Sequence, residues 1–159
     1  MYKLEFGIVH RGCLVNEISR ALPEIRLICP GGFILGRNTV EEVIILDRPR
    51  EKDTDRLLEG LKAKDGVAEV ELLEQTPDKA FIRILTSVNP DAGFCSEAVT
   101  RNRGFRIGME LQEGGVETWT VGCIRRSDAE RLVEDLKGMG DLKYHTIREA
   151  SWQALMERQ

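Results

Sequence analysis

Two hydrophobic periods alternate along the chain. "YKLEFGIV" (2–9) is apolar at every second position, the period of a half-buried strand. "LVNEISRAL" (14–22) instead spaces Leu14, Ile18 and Leu22 four apart, which predicts a short amphipathic helix stopped by Pro23. "IRLIC" (25–29) predicts a strand, "PGG" (30–32) a turn or bulge before "FIL", and the β-branched "VEEVIIL" (40–46) another strand. Residues 50–66 carry an apolar stripe of Leu57, Leu58 and Leu61, acidic first turns and a stop at Gly66, the pattern of a second helix. "VAEVELLEQ" (67–75) and "KAFIRILTS" (79–87) predict strands around the turn "TPD".

The second half repeats this order. "FCSEAVTRN" (94–102) predicts a short helix ending at Gly104, and "FRIGMELQ" and "VETWTVGCIR" predict a hairpin around "EGG". "SDAERLVEDLKGMG" (127–140) pairs Ser127 with Glu130 three residues on, the signature of a capping box, and "LKYHTIRE" (142–149) predicts a last strand. "DRLLEGLK" (55–62) and "ERLVEDLK" (130–137) match at a constant spacing of 75, and each leads through a glycine-containing turn into a strand. Order, length and turn position agree, so the expected fold is α+β. It comprises two tandem βαββαβ units of ferredoxin-like or ACT-like plan, each with two helices on one face of an antiparallel sheet. The units are expected at 1–76 and 77–150, with 151–159 a tail or linker.

Charge and cysteine usage narrow the function. A net charge of −4 argues against a broad basic surface for nucleic acid, so DNA is expected only through a domain or partner outside this chain. No apolar run reaches the roughly 20 residues that span a bilayer, and "MYKLEFGIVH" lacks a signal-peptide pattern. The expectation is a cytoplasmic protein with no membrane partner. The four cysteines, at 13, 29, 95 and 123, form no CxxC; reduced thiols are expected, and no structural zinc module.

The densest candidate chemistry is "HRGC" (10–13). His10 and Cys13 have the spacing of half a metal site, for a metal ion or haem. Two ligands are too few for tight binding, so Cys29, His145 or another subunit would supply the rest. The structural alternative is a helix-start turn, with Gly12 for backbone freedom and Cys13 as a small buried residue. Gly93 and Cys95 occupy the corresponding place in the second half. Thiols at helix starts are biased toward thiolate, which makes Cys13, Cys95, Gly12 and Gly93 the candidate ligand- or redox-sensing set. Cys29, Cys123 and Trp119 are expected in the core. "RNRGFR" (101–106) is expected to be a solvated helix end, with anion binding the alternative. "EE" (41–42) points to opposite strand faces and makes no carboxylate pair. GxGxxG, P-loop, HExxH and GxSxG motifs are all absent, so no enzymatic activity is expected and no cofactor is identified.

The strand–"HRGC"–helix opening, "LLEGLKAKDGVAEVELLEQ", "GFCSEAV", "GFRI" and "GGVETWTVGCIRRSDAERLVEDLK" resemble one kind of archaeal protein. They are similar to the region preceding the DNA-binding domain in bacterioopsin-activator-type helix-turn-helix transcriptional regulators, over most of residues 1–150. In that family the helix-turn-helix opens with a stretch like L-T-x-R-Q; here the chain ends "ALMERQ" (154–159), without that reader domain. The chain also resembles ACT domains, whose first strand enters its helix through a glycine-ended loop, the place of Gly12 and Gly93. ACT domains bind small effectors at their interfaces. These resemblances imply a homodimeric regulatory module that senses a small-molecule effector or redox change and signals through "SWQALMERQ" (151–159). The alternatives are a metal- or haem-binding protein using His10 and Cys13, and a small enzyme on a ferredoxin-like scaffold.

Overall fold

The computed structural model describes residues 1–36, 38–87 and 93–157. The elements run β1 (Tyr2–His10), α1 (Leu14–Ala21), β2 (Arg26–Ile34), β3 (Thr39–Asp47), α2 (Asp53–Ala63), β4 (Val67–Gln75) and β5 (Lys79–Ser87). They continue with α3 (Cys95–Arg101), β6 (Gly104–Arg106), β7 (Glu110–Glu113), β8 (Val116–Cys123), α4 (Arg126–Lys137) and β9 (Gly140–Glu149). A single 3-10 turn, Trp152–Leu155, follows. The protein is therefore α+β.

All nine strands join one antiparallel sheet in the order β4-β5-β3-β2-β7-β8-β1-β9, with β6 pairing β8 alongside β7. The register shows which side chains share a face. Phe6 lies opposite Trp119, Glu117 opposite Gln112, Gln112 opposite Leu27, Leu27 opposite Leu46, and Leu46 opposite Ala80. Residues directly opposite project to the same side, so this set marks one continuous inner face. The helices cover it through two cores. Val15, Ile18, Leu57 and Leu61 of α1 and α2 pack on Leu27, Ile44 and Ile82. Ala98, Val99, Leu132 and Leu136 of α3 and α4 pack on Leu4, Phe6 and Val121.

The chain is not laid out half by half. β1 pairs with β8 and β9, while α1, only a short turn away, joins the core built on β2, β3 and β5 and lies against β7 and β8. The boundary expected at 76/77 falls between β4 and β5, which pair along most of their length. Hydrophobic alternation dictates which face of a strand is buried but not which strand lies beside it.

Local signals explain two irregularities and miss one. "PGG" produces a bulge in β2, where the pairing with β3 slips between Ile28 and Gly31. "FRIGMELQ" divides into β6 and β7, separated at Gly108, whose φ of 72° belongs to the left-handed region. The capping box at Ser127 does not form. Helix α4 starts two residues earlier than that box requires, after the extended residue Arg125, which places Ser127 inside the first turn, and Glu130 pairs with Arg126 at 3.1 Å instead.

Candidate functional site

On β3, β7 and β8 the inward positions include carboxylates in phase with buried apolar residues. These are Glu42 with Ile44 and Leu46, Glu110 with Gln112, and Glu117 with Trp119, Val121 and Cys123. They gather where the sheet is splayed. β2 pairs with β7 only as far as Cys29, then bulges, while β6 and β7 break at Gly108. A cavity of about 600 Å³ lies over this gap.

The starts of α1 and α3 reach the same cavity. Gly12 (φ 77°) and Gly93 (φ 69°) supply the left-handed step before each helix, and Cys13 and Cys95 follow directly or nearly so. Gly12, Cys13, Gly93, Cys95 and His10 all line it, so the structure unites every residue of the predicted sensing and metal sets. Cys29 and His145 do not complete the set. Cys29 is buried in the core under α1 and α2, and His145 is exposed on β9.

Glu117, 2 % exposed, is the hub. Trp119 Nε1 donates to its Oε1 at 2.6 Å, and His10 Nδ1 lies 3.3 Å from its Oε2. Cys95 Sγ is 3.8 Å from the same Nδ1. Burial pushes the Glu117 carboxyl up, but the hydrogen bond and charge of His10, with bonds from Trp119 and Cys95, hold it below the ordinary glutamate range. An ionised carboxylate only accepts, so Nδ1–H is the donor. His10 Nε2 is buried without a hydrogen-bond partner among the described residues. His10, Cys13 and Glu117 each offer an N, S or O atom within 4.8 Å of the others.

A polar network holds Cys13. Its Sγ caps α1 by accepting the Asn16 backbone N–H at 3.4 Å. Gln112 accepts from Asn16 Nδ2 at 3.0 Å, donates to Glu110 at 2.8 Å and brings Nε2 to 4.0 Å from Cys13 Sγ. This environment reverses the expected bias toward thiolate. Burial, then the charge of Glu117, pushes both the Cys13 and Cys95 thiols well above their ordinary range. Desolvation and nearby carboxylates outweigh the helix-start amides.

Burial, then Glu117 and Glu42, likewise pushes Glu110 well up, and burial with Glu117 raises Glu42 to about 7 against the pull of Arg106. Raised carboxyl groups bind protons in the folded state that the unfolded chain has released. Stability associated with Glu42 is therefore full below the unfolded value near 4.5 and declines as pH rises through about 7. Glu42→Gln should stabilise the protein by roughly 1–2 kcal/mol at pH 8, with little effect at pH 4.5. Urea unfolding at the two pH values measures the difference.

Arg106 also departs from expectation. It leaves the helix end and enters the cavity from β6, 4.9 Å above the Trp119 ring. Its guanidinium donates to the carbonyls of Cys29 and Pro30, tying β6 across the gap to β2. Arg101 stays at the helix end, paired with Asp135 at 3.2 Å. Sequence reasoning missed Glu42, Glu110, Gln112 and Glu117. The available signal was their phase: each occupies an inward position on a strand whose other inward residues are apolar.

A family model described as HVO_2525_N, N-terminal matches residues 3–142. No curated protein matches the chain. The match covers both cores, both helix starts and the whole cavity lining. The chain belongs to this haloarchaeal N-terminal family.

Proposed function

We propose that this chain is a sensing and regulatory module whose ligand occupies the central cavity, not an enzyme. The observation that carries the reading is the double role of β6. Arg106 faces the cavity over Trp119, while its neighbour Phe105 projects from the opposite face of the sheet. There the Phe105 ring covers Gly122 and stacks on Trp152 of the C-terminal segment, with centroids 5.9 Å apart. A ligand that competes for Arg106 or Trp119 displaces a three-residue strand that also anchors the tail. The response is a population shift between two placements of that strand.

The family description "N-terminal" supports a module that acts on something following it, in the manner of bacterioopsin-activator-type regulators. Any contact with DNA is then made by that following domain or by a partner. The strand order supports a finer reading of the fold as two ferredoxin-like or ACT-like halves, β4-β5-β3-β2 and β9-β1-β8-β7, that have exchanged strands β1 and β5.

The test is a thermal-shift screen of the purified protein with amino acids, divalent metals and oxidants, read alongside tryptophan emission. A ligand at 100 times its Kd adds about 2.7 kcal/mol of stability. One ligand class should raise the unfolding midpoint and change the emission. In Trp152→Phe the emission change should shrink to the part that comes from Trp119 while the midpoint shift persists. No midpoint shift with any class, or an unchanged emission response in Trp152→Phe, would overturn the reading.

A further inference from the structure

We propose that His10, Cys13, Cys95 and Glu117 form a binding site for a divalent transition-metal ion. This names the ligand class of the sensing cavity, and it rests on the sensing reading only for its regulatory consequence.

Four observations carry it. First, the donor types fit. One imidazole, two thiols and one carboxylate are the mixed N, S and O set that borderline ions such as Zn²⁺, Co²⁺ and Fe²⁺ take, whereas Ca²⁺ and Mg²⁺ take oxygen alone. Second, the donors already converge. Atoms of His10, Cys13 and Glu117 lie within 4.8 Å of one another, and Cys95 Sγ is 3.8 Å from His10 Nδ1. Third, His10 is 4 % exposed, lines the cavity and keeps a buried Nε2 with no partner among the described residues. A buried ring nitrogen without a partner costs free energy, and a cation at that atom removes the cost.

Fourth, the surrounding hydrogen bonds orient the donors. Trp119 Nε1 holds one oxygen of Glu117, and the Asn16 amide points at Cys13 Sγ. The ion displaces the thiol protons to solvent as it binds.

The test is titration of the reduced full chain with Co²⁺ without oxygen, followed by absorbance. The expected result is one equivalent bound, with thiolate-to-cobalt charge-transfer absorption that Zn²⁺ abolishes. Cys13→Ser keeps a side chain suited to capping α1, so it retains the fold while losing part of that absorption and binding at least about tenfold more weakly. Cys95→Ser, checked the same way, should also lose part of it. Trp119→Phe should keep the absorption but weaken binding about tenfold. Cys123→Ser, outside the cavity, should match the parent.

Absence of thiolate absorption in the parent chain would overturn the site. So would absorption that survives both Cys13→Ser and Cys95→Ser. The two proposals separate cleanly. Cobalt binding with a raised midpoint but no change in Trp152 emission upholds the metal site and removes the sensing role. An organic effector that shifts the midpoint of a protein that binds no cobalt upholds sensing and removes the metal site.

Discussion

Replacing His10 by leucine should destabilise the metal-free protein by about 1–3 kcal/mol at pH 8, the range for leaving a buried group without its hydrogen-bond partner. Glu117, buried beneath the helix starts, would keep the Trp119 and Cys95 contacts but lose the imidazole 3.3 Å away. Its folded-state pKa lies below the ordinary value, so in the parent protein it contributes stability above the unfolded pKa. That contribution is lost as pH falls through the folded pKa. Without His10 the carboxyl is left with burial as its dominant influence and takes up a proton more readily. The deficit of His10→Leu should therefore be largest at pH 8 and shrink toward pH 4, as Glu117 becomes neutral in the variant. Adding Glu117→Gln should recover part of the loss at pH 8, because the variant then buries no unpaired charge. Urea unfolding of the four proteins in the cycle at pH 8 and pH 4.5 measures all of this. Equal deficits at both pH values would show that His10 acts by shape alone.

Phe6→Ala should cost about 3–5 kcal/mol, from lost burial and the cavity left behind. Phe6 is 0 % exposed and stacks on Trp119 with centroids 6.3 Å apart, so its ring supports the wall of the functional cavity as well as the core. Its strand lies between β8 and β9, which leaves neighbours on both sides unable to close the void by moving outward. A midpoint shift in urea gives the size. Loss of Co²⁺ affinity in Phe6→Ala beyond that of Phe6→Leu would show the mechanical link to Trp119.

Local structure was legible wherever a period and a breaker coincided. Strands 67–75 and 79–87 have the bounds read from alternation and the turn "TPD", and the "PGG" bulge was marked by its glycines. The helix-start pair Cys13 and Cys95 was legible from the repeat, and the structure places both on one cavity. The acidic half of the site was obscured because Glu110 and Glu117 sit beside exposed-looking turn residues in "MELQEGGVE". Their burial depends on strands β2 and β1 lying alongside, a long-range fact. The same gap hid the partner of β1. Alternation in "YKLEFGIV" required a buried face for Leu4, Phe6 and Ile8, and any sheet position with helices above would have satisfied it. The capping box failed for a smaller reason: a start two residues earlier shifted Ser127 out of register with the free amides.

The placement of β1 also constrains how the protein is made. Within this sheet it is synthesised first, and its two neighbours, residues 116–123 and 140–149, are synthesised last. Until β8 and β9 are made, its Leu4, Phe6 and Ile8 have no strand beside them. Long-range pairing of this kind slows folding and leaves strand edges exposed to neighbouring chains. Completion of this sheet thus waits on β9, so a chain truncated before β9 would hold β1 by one edge only and be the form most prone to aggregate.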